Sequence, residues 1–228
     1  MYTNVNLAAP IGALAFLGTG LLLLALGFVL IFSLLKHHPK LKKLSLLAIA
    51  GVAGVYLILL LSFSLVSRDQ VLAQGQEKHF CEIDCHLAYS VTEVHDTKTL
   101  GEAPNQITAA GMFRVVTVKT RFDETTTSRS RGDALLYPNS RVLSVSDANG
   151  NEYLPSTAAM RVLEAAHVAG TPMTVPLRPA DSYSTTVVFD LPADVKNPTL
   201  WIREGEIITH LIIGHENSPL HKPTRFQI

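Results

Sequence analysis

Acidic residues are missing from the first 68 positions, where Lys36, Lys40, Lys42, Lys43 and Arg68 are the only charged side chains. The fourteen other basic residues and all nineteen acids lie between Asp69 and Ile228, fourteen against nineteen, hence a net charge of −5 for that part. Cysteine is scarce, with two in 228 residues, which excludes a disulfide-dense scaffold. The charge balance excludes a basic nucleic-acid binder, so no nucleic acid is expected as a partner. Catalytic signatures are missing too. No Gly-x-Ser-x-Gly, His-Glu-x-x-His, phosphate loop or dinucleotide fingerprint occurs, so the chain reads as a non-enzyme with no catalytic residue and no required cofactor.

What is present in the first third is hydrocarbon. Residues 11–35 form an almost unbroken apolar run, and a second extends over 44–66. A bilayer-spanning helix needs about 20 apolar residues, and both runs are long enough. A secretory signal peptide would need a basic n-region, a shorter apolar core and a small-residue cleavage site. The chain is therefore expected to begin with a transmembrane hairpin over 1–68, with a cytoplasmic loop at 36–43. That loop carries four of the five basic groups, so positive charge places both termini outside. The glycines at 12, 18, 20, 27, 51 and 54 offer places for close helix approach. With no charge inside either run, a proton relay or ion pathway is not expected.

From Asp69 onward the pattern changes to short alternating runs separated by turn residues. Strands are expected at 87–94, 112–122, 141–146, 152–154, 182–191, 199–203 and 207–213, rich in Val, Thr, Ile and Phe. Asp147-Ala148-Asn149-Gly150 is a hairpin signal. One helix is expected at 156–167, where Ala158, Val162, Leu163 and Ala166 have helical spacing. Seven short strands and one helix predict an all-β, immunoglobulin-like sandwich over 87–228. Residues 69–86 are left as a juxtamembrane segment containing cysteine and histidine. The tail from Ile212 to Lys222 is expected to be a solvated extension packed along the sandwich.

Three stretches carry a resemblance: FRVVTVKTRFDETTTS, VLSVSDANGNEYLPS and LRPADSYSTTVVFDLPADVKNPTLWI. Across residues 112–203 they resemble the telokin-like, immunoglobulin-like extracytoplasmic domains of bacterial membrane proteins and lipoproteins, the DUF4352-type group. The shared pattern is a long first strand, an Asp-x-x-Gly-x-x-Tyr hairpin ending at Tyr153, and a Leu-x-Pro strand running to Phe189-Asp190-Leu191-Pro192. Ala180 stands where that family usually carries glycine. The resemblance implies a sandwich fold and a binding or accessory role at the outer face of a bacterial inner membrane. It implies no catalytic residues. The order of two helices before a β-domain also resembles cytochrome oxidase subunit II. In that family a histidine and a methionine follow the paired cysteines where this chain has Tyr89 and Thr92, so the oxidase function is not carried over.

Both cysteines fall in His79-Phe80-Cys81-Glu82-Ile83-Asp84-Cys85-His86, which supports four readings. A disulfide between Cys81 and Cys85 is favoured in an oxidising compartment. In an extended strand the two would be about 13 Å apart, beyond the ~7 Å bridging limit, so this reading requires a bend at 82–84. A metal site would use His79, Cys81, Cys85 and His86 as copper or zinc ligands. Covalent haem would attach through the two cysteines with His86 as proximal ligand. Free thiols in a redox-sensing role are the fourth. Among weaker signals, Arg131-Gly132-Asp133 reads as a polar hairpin loop, and Asp123-Glu124 as a turn pair. His210, His215 and His221 in the tail could add ligands. The combined expectation is a membrane-anchored domain that binds a protein partner or serves an envelope complex, with metal- or haem-based electron transfer or metal handling as the alternative.

Overall fold

A computed structural model describes residues 8–81, 86–128 and 130–228, with backbone alone at 8–10, Cys81 and His86. Two compact units emerge. Asp69–Glu206 and Pro223–Ile228 form one, and the two apolar helices with Ile207–Lys222 form the other.

Helices α1 (Ala8–Leu35) and α2 (Pro39–Val66) are each 28 residues long, and both are long and apolar enough to cross a membrane. The connection is only 36–38, shorter than the expected 36–43. Pro39 starts α2, because its fixed φ and missing N–H suit the first helical turn, and this draws Lys40, Lys42 and Lys43 into the helix. Large apolar side chains remain exposed along both helices, including Leu17, Leu21, Phe28, Leu57, Ile58 and Val66. Ser33, Ser45 and Ser64 are buried instead, and each hydroxyl donates to a carbonyl of its own helix at 2.7–2.9 Å. Most of the glycines do not serve helix approach. A Cβ at 18, 20, 27, 51 or 54 would meet nothing, whereas one at Gly12 would overlap the Ile213 carbonyl.

The second unit is a β-sandwich of two sheets with one short α-helix. Its strands are β1 (Gln70–Leu72), β2 (Lys78–Cys81), β3 (His86–Leu100), β4 (Ile107–Asp123), β5 (Arg141–Ser146), β6 (Glu152–Tyr153), β7 (Ser182–Leu191), β8 (Thr199–Glu204) and β9 (Thr224–Gln227). One sheet has the order β1-β9-β8-β5-β6 and the other β2-β3-β4-β7. All pairings are antiparallel except β1 with β9. The strand expected at 207–213 is instead a 3-10 helix, Ile207–Leu211. Side chains close that segment on itself: Asn217 Nδ2 donates to Thr209 Oγ1 at 2.8 Å, and Ser218 Oγ to the Ile212 carbonyl at 2.5 Å. The tail belongs with the helices, not along the sandwich. Likewise β1 and β2 lie inside 69–86, so those residues supply sandwich strands.

Period-two alternation sends Leu87, Tyr89, Val116, Val118, Phe122, Val187 and Phe189 inward, against Val145, Leu200, Ile202 and Phe226 of the facing sheet. Two cations share this interior. Lys78 Nζ donates to the carbonyls of Ile202 at 2.6 Å and Thr224 at 3.1 Å, and the Arg141 guanidinium lies 4.4 Å over Phe80. Helix α3 (Thr157–Ala165) covers part of the second sheet's outer face with Ala159 and Leu163, packed on Phe113, Val115 and Val188. Ser156 caps it through the Ala159 N–H. The Asp147 turn explains its sequence pattern. Asp147 accepts from the N–H groups of Asn149 and Asn151 at 2.8 and 2.9 Å and from the Tyr153 hydroxyl at 3.3 Å, while Gly150 supplies φ +83°. Ala180 adopts φ +69° in the turn before β7, a conformation glycine adopts without strain.

Candidate functional site

The outer face of the second sheet gathers charge at the end away from the β3–β4 turn. Strand β2 delivers His79, and the end of β4 delivers Arg121 and Asp123. The ladder aligns Cys81 with His86, and His86 with Asp123, while His79 pairs with Ala88 and Ala88 with Arg121. Alternation therefore sets positions 79, 81, 86, 121 and 123 on one face, with Phe80, Leu87 and Phe122 on the core face.

His79 Nε2 lies 3.0 Å from Asp123 Oδ2, with side chains only 2% and 1% exposed. Asp123 Oδ1 accepts from the Thr125 N–H at 3.1 Å and its hydroxyl at 2.7 Å. Arg121 forks onto Glu77 with two bonds of 2.8 Å and reaches Asp123 and Glu124 at 3.4 and 3.3 Å. Burial pushes the Asp123 carboxyl up, but the Thr125 and His79 hydrogen bonds and the Arg121 charge outweigh it and hold it below its ordinary value. The Arg121 hydrogen bond holds Glu77 below its ordinary value as well. The same pairing raises Arg121 further.

Chemically, a carboxylate bonded to one ring nitrogen fixes the orientation of an imidazole, as is needed for a base or a metal ligand. The same contacts also lock β2 to the end of β4. Among the described residues, no three His, Cys, Asp or Glu side chains converge as metal ligands. Of the expected set, His79 is placed and engaged with Asp123. Cys85 and the expected bend at 82–84 lie outside the described residues, as do the side chains of Cys81 and His86, so the disulfide, metal and haem readings fall there. The tail histidines take local roles: His215 Nδ1 accepts from the Asn217 N–H at 3.0 Å, and His221 Nδ1 contacts the Lys222 carbonyl at 3.0 Å. Arg131 packs over the Phe122 ring at 4.9 Å and donates to the Ala134 carbonyl, so the arginine of the Arg-Gly-Asp tripeptide is engaged in its own loop.

Asp123, Arg121 and Glu77 were not legible as partners of His79. Asp123-Glu124 reads locally as a turn pair, and Asp123 does cap a short 3-10 helix over Glu124–Thr126. The only sequence signal for its second role is an acid that continues the outward-facing alternation of β4.

No family model matches the chain, and no curated protein is similar to it. Three solved structures are similar in outline. A secreted protein of Mycobacterium tuberculosis, MPT63, is 10% identical, covering 72% of this chain and all of its own, with a TM-score of 0.43. A conserved hypothetical protein of Bacillus anthracis is 13% identical, covering 57% of this chain and 87% of its own, with a TM-score of 0.40. The yjhA protein of Bacillus subtilis is 12% identical, covering 69% of this chain and 99% of its own, with a TM-score of 0.42.

Proposed function

We propose that this chain is an integral protein of a bacterial inner membrane, held by the helical hairpin, whose immunoglobulin-like, DUF4352-type sandwich stands outside and binds a protein partner in an envelope complex without catalysing a reaction. The observation that carries the binding role is the open edge of β3. Strand β2 pairs only with His86–Tyr89, and among the described residues no strand pairs with the outer side of Glu93–Leu100. An extended peptide can add to such an edge through main-chain hydrogen bonds. Glu93, His95, Asp96 and Lys98 line this stretch and discourage pairing between identical edges. By contrast, β7 is shielded on its outer side, where the Ser156 N–H donates to Val188 and the Thr186 N–H to Ala169.

The test is photo-crosslinking in cells from an unnatural residue at Thr99, which is exposed on this edge. A discrete protein adduct that stays with membranes through alkaline washing is expected from Thr99 and not from Asn149. The absence of such an adduct, or release of the chain by the wash, would overturn the reading. A second reading, a metal- or haem-binding electron-transfer protein, is favoured by the row that aligns Cys81, His86 and Asp123. It expects the intact mass to include copper, zinc or haem. A mass two hydrogens below the reduced chain sinks it and leaves a Cys81–Cys85 clip.

A further inference from the structure

We propose that Ile207–His215 is a third membrane-contacting element, a lipid-facing cap seated on the outer half of the helical hairpin. This rests on the anchoring reading above and extends it to a segment whose residues follow the last sandwich strand but one.

The first observation is how the segment sorts its side chains. Thr209, Asn217 and Ser218 are buried, while Ile207, Ile208, Leu211 and Leu220 are 85%, 50%, 48% and 66% exposed. Ile213 is buried beside Gly12 and His210 is exposed, but an outward row of four large aliphatics over buried Thr209, Asn217 and Ser218 still departs from the order expected beside water. The departure suits hydrocarbon. Between Glu206 and Glu216 the chain carries no acidic or basic side chain apart from two histidines.

The second observation is depth. The Tyr56 hydroxyl donates to the Leu211 carbonyl at 2.6 Å. Tyr56 sits ten residues before the end of α2 at Val66, about 15 Å along the helix at 1.5 Å per residue, inside the outer half of a ~30 Å hydrocarbon core. Its ring also meets Phe16 of α1 at 6.5 Å. Nearer the helix ends, the backbone at Gly12 lies against Ile213, and the Lys222 N–H donates to Ser67 Oγ at 2.8 Å. The segment thus descends along the hairpin from its end to the level of Tyr56.

The third observation is how the irregular backbone is satisfied. Hydrocarbon offers no water to bond backbone polar groups, so non-helical chain at membrane depth must have its backbone lying against protein that satisfies it. The Ile212 N–H donates to Thr209, the His215 N–H to Ile212, the Ser218 N–H to His215, and Ser218 Oγ to the Ile212 carbonyl. Tyr56 pairs the Leu211 carbonyl and, in the same bond, its own hydroxyl, which hydrocarbon would otherwise strand. The occupant of the outward aliphatic face is therefore the acyl region of the outer leaflet, continuous with the exposed aliphatic surface of α1 and α2.

The experiment uses the full chain with Trp201→Phe, which leaves no tryptophan, and a single reporter at Ile207→Trp or Ile208→Trp. Both positions are exposed, so an indole adds little strain. Purified protein is reconstituted into vesicles of dioleoyl phosphatidylcholine, plain or brominated at the double bonds. A Leu21→Trp reporter on α1 serves as the reference. Emission from positions 207 and 208 is expected to fall roughly twofold or more in the brominated vesicles, because the bromines lie in the acyl region that this face would contact. Quenching at Leu21→Trp with unquenched, red-shifted emission at both 207 and 208 overturns the cap and leaves the anchor standing. Quenching at none of the three overturns the anchor, and the cap with it. Blue-shifted but unquenched emission at 207 and 208 assigns the face to protein contact and overturns the lipid assignment.

Discussion

The two units sort the same kinds of side chain in opposite directions. In the sandwich, Phe122, Phe189, Phe226, Leu200 and Val116 are wholly buried, and the charged residues that enter it are bonded or stacked, as Lys78 and Arg141 are. In the helical unit, Phe28, Leu57, Ile58 and Val66 face outward while Ser33, Ser45 and Ser64 are hidden. Hydrophobic burial is a statement about the surrounding solvent, and opposite sorting in one chain is what the proposed membrane anchor would produce. Water dictates the sandwich. The hairpin suits a medium as apolar as its own side chains, where packing rather than water exclusion joins helices.

Matched substitutions test that contrast most severely. Phe189→Ala removes a fully buried ring and is expected to cost about 3–5 kcal/mol of sandwich stability, measured by denaturant unfolding of the detergent-solubilised chain. Phe28→Ala, at an exposed helix position, should leave the same transition unchanged. A comparable loss from both would erase the distinction between the units. Next in size is Leu57→Arg, which places a cation in the middle of α2. It is expected to raise the insertion free energy by about 3 kcal/mol, read as the fraction of chain lost from alkaline-washed membranes. An arginine at exposed Thr99 should change neither membrane retention nor folding.

A smaller effect probes the turn before β7. Ala180 holds φ +69° where its N–H donates to the Phe122 carbonyl and the Phe122 N–H donates to the Asp181 carbonyl. An L side chain in that region costs about 1–2 kcal/mol, so Ala180→Gly should stabilise the sandwich by about 1 kcal/mol and raise its melting temperature. The smallest expected effect is the response to acid. Glu77, Asp96 and Asp123 are all held below their ordinary values, Asp96 chiefly by its hydrogen bonds from Arg114. Depressed carboxylates contribute stability that is present above the unfolded value of about 4 and lost as pH falls through the folded values. Thermal melts should therefore show little change between about pH 6 and 5 and decline below about 4, with the decline weakened in Glu77→Gln/Asp123→Asn. A decline that is unaltered in this double variant would assign the acid sensitivity elsewhere.

How far the sequence was legible follows from the range of the forces involved. The helices, the Asp147 turn and strands β5 and β7 announce themselves through local composition; the bounds of β5 and β7 match expectation, whereas Pro39 starts α2 several residues early. Strands β1, β2 and β9 do not, since three or four residues carry no measurable alternation; β1 and β9 are strands because each holds the other from opposite ends of the domain, and β2 because β3 follows it. The 207–213 run is β-branched and reads as a strand locally, yet polar contacts from Asn217 and Ser218 fold it into a helical turn. The His79–Asp123 pair was hidden for a related reason. Counted back from the Leu100–Ile107 pair without interruption, the ladder would set His86 opposite Arg121. Irregularities at Val91/Glu93 and Thr97/Thr99 move it to Asp123. Bulges of this kind leave little trace in a single sequence.

The parallel pairing of β1 with β9 also has a consequence for timing. Gln70 emerges directly after the second helix, but its partner Thr224 is made about 150 residues later. At about 5–20 residues per second, synthesis leaves β1 and the edge of β8 waiting roughly 8–30 s and a few seconds respectively before β9 can close the sheet. During that interval a half-built sheet is exposed while the chain is still being made. Assembly of this domain should therefore depend on chaperones that shield strand edges, and slow translation over its final third should increase that dependence.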